Sequence, residues 1–224
     1  MKKKRILFVV ESITTAQVVR LLLLAQSLDR SRYEVFFATG DPSSRLFLGS
    51  GLDVRAIDTL PSTKIFARLE AGNRPYEKSD LKRYVEVDLA LLDEVRPDLV
   101  VSDFRLSLTV SARVARVPLA TLINAYWSPY AVRERFPIPD HPILDRVGLE
   151  LAERYFPKAL PHVLRHFAAP INSLRKRHGL RPLRDLLCVL TDGEIVLYPD
   201  APELTPTEDL PEHHVYLGPL CWSA

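Results

Sequence analysis

The residues best suited to chemistry follow the ends of predicted strands. Asp103 comes just after the apolar run Leu99–Val101, and the polar segment Glu11–Gln17 follows the run Ile6–Val10. A carboxylate at the end of a buried strand can orient and charge-stabilise a general base on a neighbouring loop. Asp103 also has a simpler interpretation, as the N-cap of the helix predicted to start near Leu106.

A second group of side chains combines aromatic rings with polar atoms. The segment Asn124–Tyr130 contains Tyr126 and Trp127 and begins a Pro-rich loop predicted over residues 124–142. Aromatic side chains with a few polar groups suit an apolar or sugar-bearing acceptor. Packing beneath the long loop is the other interpretation of these aromatic residues.

Other motifs exclude several classes of site. The turn after the first strand carries no Gly-x-Gly-x-x-Gly, which disfavours a dinucleotide-binding domain, and there is no Walker A or Cys-x-x-Cys motif. His162 and His166 have the spacing of a zinc pair, but they lack the glutamate and a third ligand, so no metal site is predicted. The basic segment Arg175–His178 fits the end of a helix, where the macrodipole favours cations.

The elements that would position these residues alternate between strands and helices. Strands are predicted at Ile6–Val10, Tyr33–Ala38, Asp53–Ile57, Leu99–Val101, Pro118–Ile123, Glu194–Tyr198 and His214–Leu217. Helices are predicted after the first strand, at Ile65–Ala71, from Leu81 to Val95, at Leu106–Arg116, and as two stretches, Leu144–Tyr155 and Pro161–Arg177. This order predicts an α/β fold with a doubly wound, mostly parallel sheet. Ligands bind such sheets at the carboxyl ends of the strands, where the loops named above lie.

Composition and charge limit the class of protein, its partners and its cellular location. The 224 residues carry 30 Lys and Arg against 28 Asp and Glu, and 47% are hydrophobic, as in an ordinary globular protein. A net charge of +2 does not favour a nucleic-acid partner. Cys188 and Cys221 are expected to be reduced thiols, and the apolar run after Met1–Arg5 is too short for a signal peptide. We therefore expect a cytoplasmic protein, with peripheral membrane contact left open.

Four segments in this order resemble the N-terminal half of a GT-B glycosyltransferase of the macrolide and UDP-glycosyltransferase-like group. They are Ile6–Leu28, Tyr33–Gly40, Arg96–Asp103 and Tyr216–Trp222. The resemblance implies a Rossmann-like domain over residues 1–217 that binds the acceptor, with residues 218–224 opening the interdomain linker. It also implies that the nucleotide-sugar donor is bound by a C-terminal half, absent from this sequence and supplied in cis or in trans, so this chain needs no cofactor of its own.

The resemblance also assigns roles to individual residues. Family members carry a catalytic His after the first strand, partnered by an Asp. Alignment puts Gln17 at the His position, Asp103 at the partner position, and Arg20 where many members have Pro. Since an amide cannot take a proton near neutral pH, the loss of the base would cost about 10²- to 10⁴-fold in rate.

Two functions stay open at this point. One is the acceptor-binding half of an inverting, nucleotide-sugar-dependent glycosyltransferase that acts on a small or lipidic acceptor. The alternative is a non-catalytic binding or partner subunit, and an unrelated doubly wound enzyme is a distant third. The residues expected to contact the acceptor are Glu11, Ser12, Thr14, Thr15, Asn124, Tyr126, Trp127 and Tyr130.

Overall fold

The computed structural model describes residues 2–133 and 148–222. Within them, seven strands form one sheet in the order β3-β2-β1-β4-β5-β6-β7, and every neighbouring pair is parallel. The strands are β1 (Lys4–Val10), β2 (Tyr33–Thr39), β3 (Asp53–Ala56), β4 (Leu99–Asp103), β5 (Leu119–Leu122), β6 (Ile195–Tyr198) and β7 (His214–Tyr216). The α/β, doubly wound architecture predicted from the sequence is confirmed.

Six α-helices connect or cover these strands in the described residues. They are α1 (Thr15–Gln26), α2 (Ser62–Glu70), α3 (Lys78–Val95), α4 (Leu108–Ala115), α5 (Leu149–Arg177) and α6 (Leu186–Leu190). None of the helices in the described part of the chain has the length and apolar character that a bilayer-spanning helix requires.

Alternation along β1 explains why both faces of the sheet are covered. Ile6, Phe8 and Val10 pack on the α1 side, whereas Leu7 and Val9 pack with residues of α3 and α4 on the other side. Successive side chains of a strand point to opposite faces, so a continuous apolar run is what a doubly covered strand requires. This packing fixes the carboxyl end of β1 at the centre of the sheet edge.

The long helix α5 corrects the prediction of two helical stretches. It runs unbroken from Leu149 to Arg177, although it contains three prolines: Pro157, Pro161 and Pro170. Each proline removes one backbone N–H donor. The stretch of α5 around Pro157 and Pro161 is mostly exposed, so water can hydrate the freed carbonyl groups and the helix continues.

Some predicted boundaries lie outside the described residues. They are the part of the Pro-rich loop from residue 134 on, the predicted helix start at residues 144–147, and the last two residues of the expected linker. The short helix α6 was not predicted, because five residues are too few to show a helical period. Its N-cap is Asp185, whose side chain accepts a hydrogen bond from the backbone N–H of Cys188.

Candidate functional site

The start of α1 is held by its own polar side chains. Thr14 is the N-cap, and Gln17 completes a capping box with it. The Oε1 atom of Gln17 accepts hydrogen bonds from the backbone N–H groups of Ile13 (3.0 Å) and Thr14 (3.1 Å). The amide oxygen of Gln17, the residue expected at the position of the base, therefore caps the start of α1.

Arg20 is the residue that contacts Asp103. Its guanidinium forms a bidentate ion pair with the carboxylate: Nη2 donates to Oδ1 at 2.8 Å, and Nε donates to Oδ2. Asp103 is the last residue of β4 and is completely buried between β1 and β5. Burial raises the pKa of the Asp103 carboxyl to about 6, and the hydrogen bonds and charge of Arg20 limit that rise.

Two further residues extend this pair along the sheet edge. Arg20 Nη1 donates to Asn124 Oδ1 at 2.6 Å, and Asn124 Nδ2 donates to Asp200 Oδ1 at 2.9 Å. The second oxygen of Asp200 accepts the backbone N–H of Ala125 at 2.5 Å. We call Arg20, Asp103, Asn124 and Asp200 the groove line, since it connects α1 and the ends of β4, β5 and β6 beneath one surface groove.

The groove has a volume of about 410 Å³ and lies between α1 and the C-terminal segment of the described chain. Its lining consists of Thr15, Ala16, Val19, Arg20, Asn124, Pro199, Leu220 and Trp222. Trp222 is half-exposed, and Arg20 is the one ionisable side chain among the described residues of the lining. The groove can therefore hold an apolar or aromatic body beside a cation and an amide.

Four of the predicted acceptor residues lie at three places: the groove, the end of β2 and the start of α1. Thr15 and Asn124 line the groove. Ser12 hydrogen-bonds Thr39 through their hydroxyls at 2.8 Å, and its backbone has a φ of 62°. Thr14 is exposed but serves as the cap of α1.

The aromatic segment after β5 mostly packs against the protein. Trp127 lies against the large hydrophobic cluster beneath α3 and α5, with its ring edge-on to Tyr126. Tyr130 packs edge-on against His214, with 5.3 Å between ring centroids. These contacts match the packing interpretation of the segment, and its polar residue Asn124 is the one that reaches the groove.

The Glu11 side chain does not face an acceptor as predicted but lies in a buried cluster of polar residues. It is buried, its Oε2 accepts Arg105 Nη1 at 2.9 Å, and its Oε1 accepts the Tyr84 hydroxyl at 2.9 Å. Arg105 also donates to Asp88 Oδ1 through Nε and Nη2, and its guanidinium stacks on the Tyr84 ring at 3.8 Å. We call Glu11, Tyr84, Asp88 and Arg105 the closed cluster.

The closed cluster fastens the loop between β3 and α2. Arg105 Nη1 donates to the Asp58 carbonyl at 2.8 Å, and the Leu60 N–H donates to the Tyr84 hydroxyl. Burial raises the pKa of Glu11 to about 7, against the opposing effect of Arg105. With Arg105 and Glu11 both buried, this cluster holds the structure together and offers no surface to a ligand.

Sequence reasoning missed Asp200, Leu220 and Trp222 as parts of the groove. Asp200 follows β6, so the rule that placed the other loops at the carboxyl edge could also have placed it there. Arg20 was noted only as a departure from the family pattern, because nothing local reveals that it pairs with a residue 83 positions away.

No metal centre emerges from the described residues, which contain no group of three or more His, Cys, Asp or Glu side chains able to hold an ion. His162 hydrogen-bonds with Arg165, and His166 hydrogen-bonds with Arg74. Cys188 and Cys221 are free thiols.

Comparison with known proteins gives strong sequence matches. The chain is 50% identical over 225 residues to the PGL/p-HBAD biosynthesis rhamnosyltransferase of Mycobacterium bovis BCG, which aligns with 99% of this chain and 49% of its own length. It is 44% identical to a PGL/p-HBAD biosynthesis glycosyltransferase of Mycobacterium tuberculosis, over 99% of this chain and 52% of the relative. An inactive PGL/p-HBAD biosynthesis glycosyltransferase of M. bovis BCG is also 44% identical, over 61% of its length. No protein-family profile matches the chain.

Solved structures with the same fold agree with these matches. The glycosyltransferase of kitacinnamycin superposes with a TM-score of 0.64 at 18% identity, covering 100% of this chain and 53% of that protein. The spinosyn forosaminyltransferase SpnP gives 0.59, also at 18% identity, over 99% of this chain and 52% of that protein. The chain is therefore similar to glycosyltransferases with the GT-B fold. It has the fold of their N-terminal half, and it spans about half the length of the curated relatives it matches.

Within this GT-B half, the groove line occupies the carboxyl edge of the sheet, where α/β proteins bind ligands. Arg20 is paired with the Asp103 carboxylate through both of its oxygens.

Proposed function

We propose that this chain is the acceptor-binding part of an inverting glycosyltransferase that transfers a sugar from a nucleotide donor to a small or lipidic acceptor. The observation that carries the proposal is the 410 Å³ groove over the groove line. It lies at the ligand-binding edge of the sheet, in a chain 50% identical to a rhamnosyltransferase. Thr15 and Asn124 contact the acceptor, and Trp222 covers its apolar part.

The proposal also states which part of the protein binds the acceptor and which part binds the donor. Residues 1–217 form the acceptor-binding domain, and residues 218–224 begin a linker to a donor-binding half, joined in cis or supplied in trans. The sheet reaches Tyr216 in β7, and Gly218 then turns the chain with a φ of 78°, which supports a boundary at this point. The nucleotide sugar belongs to the other half, so no cofactor is assigned to this chain, which works in the cytoplasm.

A lipidic acceptor would lie in a membrane, so the proposal includes peripheral contact between this chain and the membrane surface. The helix α2 exposes Phe66 and Leu69, which are three residues apart and share one face of the helix. Exposed apolar side chains on one helix face suit contact with the surface of a membrane. Flotation with anionic vesicles, compared with neutral ones, measures this contact.

The alternative function is a non-catalytic binding or partner subunit. It is favoured by Gln17, which cannot act as a base, and by the inactive relative at 44% identity. In that case the groove would bind an acceptor or its product without a reaction.

A hybrid protein distinguishes between the two functions. In the hybrid, this chain replaces the matching half of the M. bovis rhamnosyltransferase, and the hybrid is expressed in a strain that lacks that enzyme. If the chain is a working acceptor half, rhamnosylated product reappears in lipid extracts analysed by mass spectrometry. The contrary outcome is a hybrid that folds and binds the donor but transfers no sugar to lipids or to purified acceptors. That outcome would contradict the acceptor-half proposal and support the non-catalytic function.

A further inference from the structure

The outer side of α5 carries an excess of positive charge. Arg154, Lys158 and Arg165 are exposed, and residues 154–174 contain no Asp or Glu. The ion pairs of the described residues involve none of these three cations. Both acidic residues of α5 lie at its N-terminal end, where the helix macrodipole favours anions. The cations are therefore available to an anionic partner.

A line of apolar side chains runs beside these cations. Leu151, Tyr155 and Val163 are 48%, 53% and 36% exposed, and their spacing is a multiple of four residues. Helix side chains four apart lie one above the other, so the three form one oblique line along α5. Arg154 and Lys158 flank the Tyr155 ring, at 5.9 and 5.8 Å from its centroid. An apolar line and a cationic line thus lie side by side.

The outer face of α3 shows what a helix face built only for water looks like. It exposes charges of both signs, among them Lys82 and Glu86, which form an ion pair at 3.6 Å. No large apolar side chain of α3 is exposed. The face of α5 differs from it both in its single sign of charge and in its exposed apolar residues.

The helix α2 lies on the same side of the sheet as α5. Ile65 of α2 and Leu164 of α5 belong to one hydrophobic cluster. Arg74, which follows α2, donates a hydrogen bond from Nε to Nε2 of the exposed His166 at 3.0 Å. The exposed apolar side chains of α2 therefore lie on the side of the molecule that α5 also covers.

We propose that the outer side of α5 over residues 151–166 is a docking surface for an anionic lipid bilayer. Interfacial helices combine an apolar line, which enters the headgroup region, with Lys and Arg, which attract anionic lipids. A soluble polyanion would use the cations but leave Leu151, Tyr155 and Val163 in water, so the apolar line favours the bilayer. The inference rests on the proposed function, whose membrane contact it extends to a second helix and to anionic lipids.

Flotation of the 224-residue chain tests the surface. Vesicles of phosphatidylcholine alone are compared with vesicles of equimolar phosphatidylcholine and phosphatidylglycerol. We expect binding only to the anionic vesicles, and weaker binding as salt is added, because ions screen exposed charges. Equal binding to both kinds of vesicle, or binding to neither, overturns the proposal.

Charge variants locate the binding on α5. Arg154→Gln combined with Arg165→Gln should weaken binding to the anionic vesicles about 30-fold, since each cation near such a surface contributes about fivefold. Arg32→Gln combined with Arg45→Gln is the matched control: both arginines are exposed, and Arg32 also lies over a tyrosine ring. The control should bind almost as well as the unchanged chain. An equal loss in the two double variants would mean that only net charge matters, and would overturn the proposal.

Fluorescence tests whether the apolar line enters the bilayer. In Tyr155→Trp, the added emission should shift to the blue with anionic vesicles, because the ring leaves water. Leu48→Trp, which changes a side chain 78% exposed in the loop after β2, should show no shift. Salt-sensitive binding without a shift in Tyr155→Trp would indicate a surface for a soluble polyanion and would overturn the bilayer as the partner.

Sugar transfer by the hybrid protein separates the inference from the proposed function. Transfer to an acceptor dispersed in detergent needs no docking to a bilayer. If the hybrid transfers sugar but the chain does not bind anionic vesicles, the inference fails and the function stands. If the chain binds vesicles through α5 but the hybrid transfers no sugar, the docking surface stands and the function fails.

Discussion

The groove line and the closed cluster use the same chemistry at neighbouring strand ends, with different exposure. Each pairs an arginine with buried carboxylates: Arg20 with Asp103, and Arg105 with Glu11 and Asp88. The arginine of the closed cluster has no exposed side-chain surface, whereas the side chain of Arg20 is 14% exposed. In the part of the chain that the structure describes, the groove over the groove line has a volume of about 410 Å³, whereas the pocket beside Arg105 has a volume of about 10 Å³, too small for a ligand.

The difference shows how to tell a structural ion pair from a candidate site. In the closed cluster, Ser107 and Ser111 also donate to Asp88, and the Asp58 carbonyl accepts from Arg105. A ligand would have to break these bonds to enter. In the groove line, the arginine keeps two donors beyond its three hydrogen bonds, so a ligand adds to the network.

Removal of the Arg105 side chain should cause the largest loss in the free energy of unfolding. Arg105→Met leaves Glu11 and Asp88 buried without their cation, and breaking a buried pair in this way costs about 3–5 kcal/mol. Urea unfolding monitored by circular dichroism measures the loss. The half-exposed pair of Lys4 and Asp98 provides the control, since Lys4→Met should cost about 1 kcal/mol or less. A loss as small for Arg105→Met would mean that the closed cluster does not hold the fold.

The pH dependence of stability should change when Glu11 is replaced. Its pKa is raised by burial to about 7 from 4.5, so the folded state binds this proton more readily than the unfolded state. The contribution of Glu11 is therefore fully present below pH 4.5 and is lost as the pH rises to 7. Glu11→Gln should remove roughly 3 kcal/mol of pH dependence in this window. Parallel curves for the chain and the variant would contradict a buried, proton-binding Glu11.

Removal of Arg20 should destabilise the protein less than removal of Arg105. Arg20→Met leaves Asp103 buried, but the carboxyl can take up a proton, because burial raises its pKa and Arg20 no longer opposes that rise, and water can enter from the groove. We expect a loss of about 2 kcal/mol at pH 7, shrinking below pH 6, measured by the same urea series. A loss as large as that for Arg105→Met would place Arg20 with the structural pairs and erase the distinction.

Continuous apolar runs account for how much of this could be predicted. They located all seven strands of the described sheet and hence the edge where Asp103, Asn124 and Thr15 lie. The alternation of faces along β1, carried one residue further, would have placed Glu11 on the face of Leu7 and Val9, beneath α3. Treating Glu11 as a loop residue lost that information.

Long-range pairing explains what could not be predicted. Arg20 and Asp103 are 83 residues apart, and Asn124 and Asp200 are 76 apart, so their contact depends on strand order rather than on any local motif. Helix continuity at Pro157 and Pro161 also depends on solvent exposure, which the sequence of α5 does not reveal.

Calorimetry gives the most direct test of the central claim. The claim is that this chain binds the acceptor in its groove and that another half binds the nucleotide-sugar donor. The purified 224-residue chain is titrated with nucleotide-activated rhamnose and nucleotide-activated glucose. We predict no saturable heat from either sugar nucleotide up to ~1 mM, a dissociation constant that corresponds to weak binding. A micromolar dissociation constant for either one would put a donor site in this chain and contradict the account.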